Sequence, residues 1–168
     1  LTKTGHPPLR SEIDFNDFDL YGLDISLLDL ISLQDTVTMN ILSLSGVEKS
    51  GFEFSNLVTL MSIGKTHMHF TNLEVDTKMS ELHIPILEFD FEHWSLFKHF
   101  SRSVDLTFQS SHSELKTEDL SVFVSQTKGF QNQLSIDGNV HGRLNDLKGN
   151  EMQITVDKHT TLEVDFIA

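Results

Sequence analysis

Apolar and polar residues alternate along most of this chain, and that period of two restricts its fold more than any other feature. In Thr36-Val37-Thr38-Met39-Asn40-Ile41 and in Glu88-Phe89-Asp90-Phe91, every second side chain is apolar. Successive side chains of a strand point to opposite faces, so the pattern describes strands with one buried and one solvated face. A recurring phrase breaks the alternation. Two apolar residues flank a polar residue and an Asn or Asp in Phe15-Asn16-Asp17-Phe18, Phe54-Ser55-Asn56-Leu57, Phe70-Thr71-Asn72-Leu73 and Leu144-Asn145-Asp146-Leu147. Apolar residues three apart fall on opposite faces of a regular strand, whereas a two-residue turn between them returns both to one face of a hairpin. The phrase therefore predicts corners joining consecutive strands of a sheet built by addition. Its irregular spacing excludes a solenoid of fixed period.

Two stretches depart from the strand pattern. Trp94, Phe97 and Phe100 recur every three residues within 93–100 and predict a short amphipathic helix. Thr117 is placed to cap a second helix, with Glu118 and Asp119 favourable in its first turn. Leu120, Phe123 and Val124 would be its apolar stripe and Lys128-Gly129 its end. Gln34-Asp35 and Gly64-Lys65-Thr66 read as turns, and Pro85 as an edge or a bulge. The fold class expected is mainly β: a degenerate-repeat antiparallel sheet, as an open trough or curved sheet, with one or two short α-helices. Residues 1–11 read as a polar leader, and residues 12–168 as a single β-rich segment. Neither a signal peptide nor an initiator Met opens the chain, and the last residues run in a strand pattern, so a segment of a longer polypeptide is expected.

The chemistry-bearing residues are sparse. There is no cysteine, hence no disulfide, thiol nucleophile or thiolate metal site. A formal charge of −13 argues against nucleic acid or an anionic membrane surface as an electrostatic partner. No nucleophile elbow, phosphate-binding loop or dinucleotide fingerprint occurs. Acids such as Glu88 and Asp90 alternate with Phe89 and Phe91, as on a polar outer face. His67 and His69 would project from one strand face, which starts a metal site, but spacing assigns no third ligand. No catalytic, cofactor-binding or metal residue is assigned, no cofactor is expected, and the chain is read as non-enzymatic. The 13 phenylalanines either form a closed core or line an open apolar trough, and both give the same alternation.

Several runs resemble a known family. They are GLDISLLDL (22–30), DTVTMNILSLSGVEKSGFEFSNL (35–57), FEHWSLFKHF (91–100), VDLTFQSSHSELKTEDLSVFV (104–124) and SIDGNVHGRLNDLKG (135–149). In phrasing and repeat style, over roughly residues 12–150, the chain resembles the AsmA/TamB-like envelope proteins, closest to the translocation and assembly module proteins of Bacteroidetes. The resemblance implies a periplasmic segment of a parent protein that is anchored to the inner membrane outside this segment. It implies a long β-sheet folded into an apolar groove that assists outer-membrane protein assembly, phospholipid transport, or both. Implied partners are phospholipid acyl chains or nascent outer-membrane proteins, with an outer-membrane barrel partner for the full-length protein. The two helical insertions depart from an uninterrupted groove. The candidate lipid-groove face is Met39, Ile41, Phe54, Leu57, Met61, Ile63 and Phe70. The competing expectation is an extracytoplasmic β-sandwich interaction module, adhesin-like or carbohydrate-binding, with a closed double sheet.

Overall fold

The computed structural model describes residues 19–123 and 127–167. Their alternation forms nine strands: β1 (Leu20–Leu33), β2 (Thr36–Glu48), β3 (Glu53–Ile63), β4 (His67–Thr77), β5 (Glu81–Asp90), β6 (Asp105–Lys116), β7 (Gln133–Arg143), β8 (Asp146–Val156) and β9 (Thr160–Ile167). All lie in one open sheet in sequence order, each antiparallel to the next, with β1 and β9 as the edges. A 3₁₀ turn (Trp94–His99) and α1 (Phe100–Ser103) separate β5 from β6, and α2 (Thr117–Leu120) follows β6. The double-sheet packing of a β-sandwich is not formed among the described residues, because every strand joins the same sheet. No described helix is long and apolar enough to cross a membrane.

The repeated phrase proves to have two structural meanings. Leu144–Leu147 is the expected corner, since β7 ends at Arg143 and β8 begins at Asp146. Phe54–Leu57 lies within β3 and Phe70–Leu73 in the middle of β4, while Phe15–Phe18 falls outside the described residues. The two interior copies are bulges rather than corners. The β3–β4 register slips between Phe54 and Asn56 and again between Val58 and Leu60, and Asn72 takes a φ of 50°. A bulge sets two residues of one strand against one of its neighbour, so apolar residues three apart return to one face without a turn.

Left-handed residues recur mid-strand at Asn72 of β4, His112 of β6 and Glu151 of β8. The backbone N–H of His112 donates to Asp137 Oδ1 of β7 at 2.6 Å, and that of Glu151 to Asp165 Oδ1 of β9 at 2.8 Å. In each case a carboxylate of the next strand satisfies an amide that the bulge takes out of the ladder. Pro85 stands opposite Asn72, between the pairs Thr71–Ile86 and Leu73–Ile84. It therefore lies in a central strand, facing the bulge at Asn72, and not at an edge.

The bulges at Asn72, His112 and Glu151 fall along one line across the strands, and so do buried residues. Ile41, Thr59, Leu73, Ile84, Ser113 and Met152 are all buried, although no second sheet covers them among the described residues. Bulges bend strands and sharpen their twist. Burial along this line is therefore supplied within the single sheet. Its residues include small ones: at Gly138 (φ 129°) a Cβ would stand 2.7 Å from both Glu151 O and Met152 Cα. Ser113 repairs the ladder where β5 and β6 are unpaired. Its Oγ accepts from the His83 amide at 2.9 Å and donates to the His83 carbonyl at 3.0 Å.

The insertions occupy opposite ends of the strands. The three-residue spacing of Trp94, Phe97 and Phe100 suits a 3₁₀ turn, in which residues three apart eclipse. Phe91 packs against Trp94 and Phe97 at ring separations of 4.8 and 4.9 Å, and Phe100 against Phe89 at 5.7 Å. The Trp94 indole N–H donates to Gly64 O at 3.0 Å, tying the insertion to the β3–β4 turn. At the other end, Thr117 begins α2 instead of capping it: Lys116 holds the cap position, and Thr117 Oγ1 accepts from the Asn132 amide at 2.9 Å. Because α2 is a single turn, the expected helical stripe does not form. Phe123 lies in a turn and packs edge-on against Phe52 at 5.1 Å, while Val124 is outside the described residues. Asp119 accepts from the hydroxyls of Thr77 and Ser80 at 2.6 Å each, which fastens α2 to the β4–β5 turn.

Candidate functional site

Cross-strand pairing brings the expected apolar residues onto one face. Met39 pairs with Met61, and Met61 pairs with Phe70. Ile41 stands beside Thr59, and Leu57 beside Val75. Alternation places Ile63 with Met61, and the β3 bulge returns Phe54 to the side of Leu57. All of the candidate groove residues thus share a face. They differ in depth: Ile41 is buried in the middle of its strand and Phe54 beside Gly46 at the α2 end, whereas Met39, Leu57, Met61, Ile63 and Phe70 remain half-exposed.

The face extends beyond the residues that sequence singled out. Phe70 pairs with Leu87, Leu87 with Phe108, and Phe108 with Val140, carrying the apolar surface onto β5, β6 and β7. Ile136 pairs with Ile154, and Ile154 with Leu162, carrying it to β9. These members were legible only as alternation, because sequence does not state which strands lie side by side. The apolar face thus crosses the sheet from one edge toward the other, with the row of bulges midway along the strands. The Trp94–Ser103 insertion stands at one end of the strands and α2 at the other.

The opposite face is polar and carries one chemically distinct cluster. His69 of β4 pairs with Glu88 of β5, and His67 with Asp90. His69 Nε2 lies 2.9 Å from Asp90 Oδ1, and the rings of His67 and His69 stand 4.7 Å apart. Asp90 directly opposes Asp105 of β6, and Arg143 of β7 reaches Asp105 through two nitrogens, each at 3.3 Å. The sequence did show His67/His69 and Glu88/Asp90 as two alternating pairs. Only the β4–β5 register shows that they meet.

Elsewhere, Glu48 at the end of β2 is a buried carboxylate. Burial pushes its carboxyl up, but hydrogen bonds from the Ser50 hydroxyl and amide and the Asp19 amide, with the Lys49 charge, outweigh this and hold it below the usual range. Asp157 is also held low, chiefly by the Gln133 amide and then by the Asn132 side chain. Both groups anchor turns at the α2 end of the sheet.

No family model matches the chain, and neither does any curated protein or solved structure compared with it.

Proposed function

We propose that this chain is a non-enzymatic segment of a periplasmic envelope-biogenesis protein of the AsmA/TamB-like type, and that its apolar face carries phospholipid acyl chains. In this proposal the parent protein is anchored to the inner membrane outside this segment and meets an outer-membrane barrel partner elsewhere along its length. Nascent outer-membrane strands are a second cargo that the same surface would accept. One observation carries the proposal: an apolar face crosses the sheet, half-exposed, with no second sheet over it among the described residues.

The energetics favour an apolar occupant. Each methylene removed from water is worth about 0.8 kcal/mol, so an acyl chain of about ten methylenes settling on this face gains on the order of 8 kcal/mol. The dimensions suit one as well. Nine strands at a spacing of about 4.8 Å span about 38 Å, against roughly 15 Å for the chains of one bilayer leaflet. Acyl chains would lie on this face, across the strands, with the insertions at the strand ends.

Native mass spectrometry and lipid extraction of the purified chain test this. Phospholipid is expected to co-purify, and the double substitution Met39→Asp with Met61→Asp is expected to abolish it while leaving the strand circular-dichroism signal intact. A chain that purifies free of lipid and shows no thermal shift with added phospholipid would overturn the proposal.

A further inference from the structure

We propose that His69, Glu88 and Asp90 bind a divalent transition-metal cation of the zinc class on the polar face of β4 and β5. One ligand atom from each of the three residues lies within 4.8 Å of the others. The closest pair, His69 Nε2 and Asp90 Oδ1, are 2.9 Å apart. Ligands about 2.0–2.2 Å from a zinc ion stand about 3–3.5 Å from one another, so closing the set asks a shift of about an ångström or more from the widest pair. An imidazole with carboxylates suits zinc and its neighbours in the first transition row, and three protein ligands leave an open position for water.

The platform is rigid and the charge arrangement favours a cation. His67 to Thr71 pair with Ile86 to Asp90 without a register slip, so the ligands project from paired strands instead of a loop. Asp90 and Asp105 oppose each other directly, and like charges in that position repel. Arg143 offsets Asp105, whereas Asp90 has His69 as its neighbour. A dication between His69, Glu88 and Asp90 removes the remaining repulsion. Access is open: the His69 and Asp90 side chains are 32% and 53% exposed, and Asp90 borders a cleft of about 550 Å³. His67 stands beside the set without joining it, its Nε2 being 3.2 Å from Ser62 Oγ.

Titration of the intact chain with zinc chloride, by calorimetry and by thermal shift, tests the site independently of what the apolar face carries. One zinc per chain is expected. His69→Ala and Glu88→Gln should each weaken binding at least about tenfold, and His67→Ala by less than about threefold. His112→Ala, at a remote histidine, should leave it unchanged. Glu88→Gln preserves shape, so it reports on the site even if His69→Ala folds poorly. Absence of saturable binding up to about 1 mM zinc, or equal binding by Glu88→Gln and the unsubstituted chain, would overturn the proposal.

Discussion

Glu48 shows how far local context can reverse what a residue type suggests. Beside Lys49-Ser50-Gly51, a glutamate reads as part of a solvated connection, yet this one is 1% exposed. Its carboxylate gathers the Ser50 amide at 2.7 Å and the more distant Asp19 amide, joining the β2–β3 turn to the start of β1. The folded carboxyl is held below its ordinary value, so ionisation stabilises the fold above the unfolded value of about 4.3, and that contribution disappears as pH falls through the folded value. Glu48→Gln is therefore expected to lower stability at pH 7 and to converge on the unsubstituted chain as pH falls through the lowered folded value, in urea denaturation. Equal loss at both pH values would assign the effect to shape rather than charge. The sequence could not show this contact, because Asp19 lies 29 residues away.

At the scale of the element, the alternation was readable and the cause of its interruptions was not. A phase change over three residues is produced equally by a hairpin corner or by one extra residue in mid-strand. Phe70-Thr71-Asn72-Leu73 resolves as the second because Asn72 adopts a left-handed conformation inside β4. That conformation costs a β-branched residue more than asparagine, and glycine least. Asn72→Val is expected to destabilise the chain by about 1–2 kcal/mol and Asn72→Gly to have a much smaller effect, measured by thermal denaturation. Were Asn72→Val neutral, the bulge would not need its left-handed residue. The insertions divide similarly. The aromatic triplet marked a helical insertion in advance, though the residues form a 3₁₀ turn and a single α turn, whereas Thr117, flanked by suitable helix-start residues, instead spends its hydroxyl on Asn132.

At the scale of the whole molecule, the open sheet leaves β1 as an apolar edge. Ile25, Leu28, Leu30, Ile31 and Leu33 are 48–70% exposed, and nothing among the described residues covers them. An exposed apolar edge strand is a template for pairing with another chain, and lysine on such an edge suppresses it. The isolated chain is expected to self-associate as concentration rises, and Leu30→Lys with Ile31→Lys to reduce that association in light scattering. A chain that stays monomeric without the substitutions would contradict this.

The sequence by itself determined that strands dominate, which side chains share a strand face, and where aromatic residues recur at helical spacing. These are consequences of local periodicity, which every residue carries in its own neighbourhood. Only the tertiary structure decided that the strands form one open sheet, that two of the phrases are bulges, and that the one at Asn72 aligns with those at His112 and Glu151 across the sheet. Only it joined His69 to Glu88 and Asp90. Each of these depends on register between strands, and register is set by packing and hydrogen bonding across the sheet, between residues that the chain itself keeps apart.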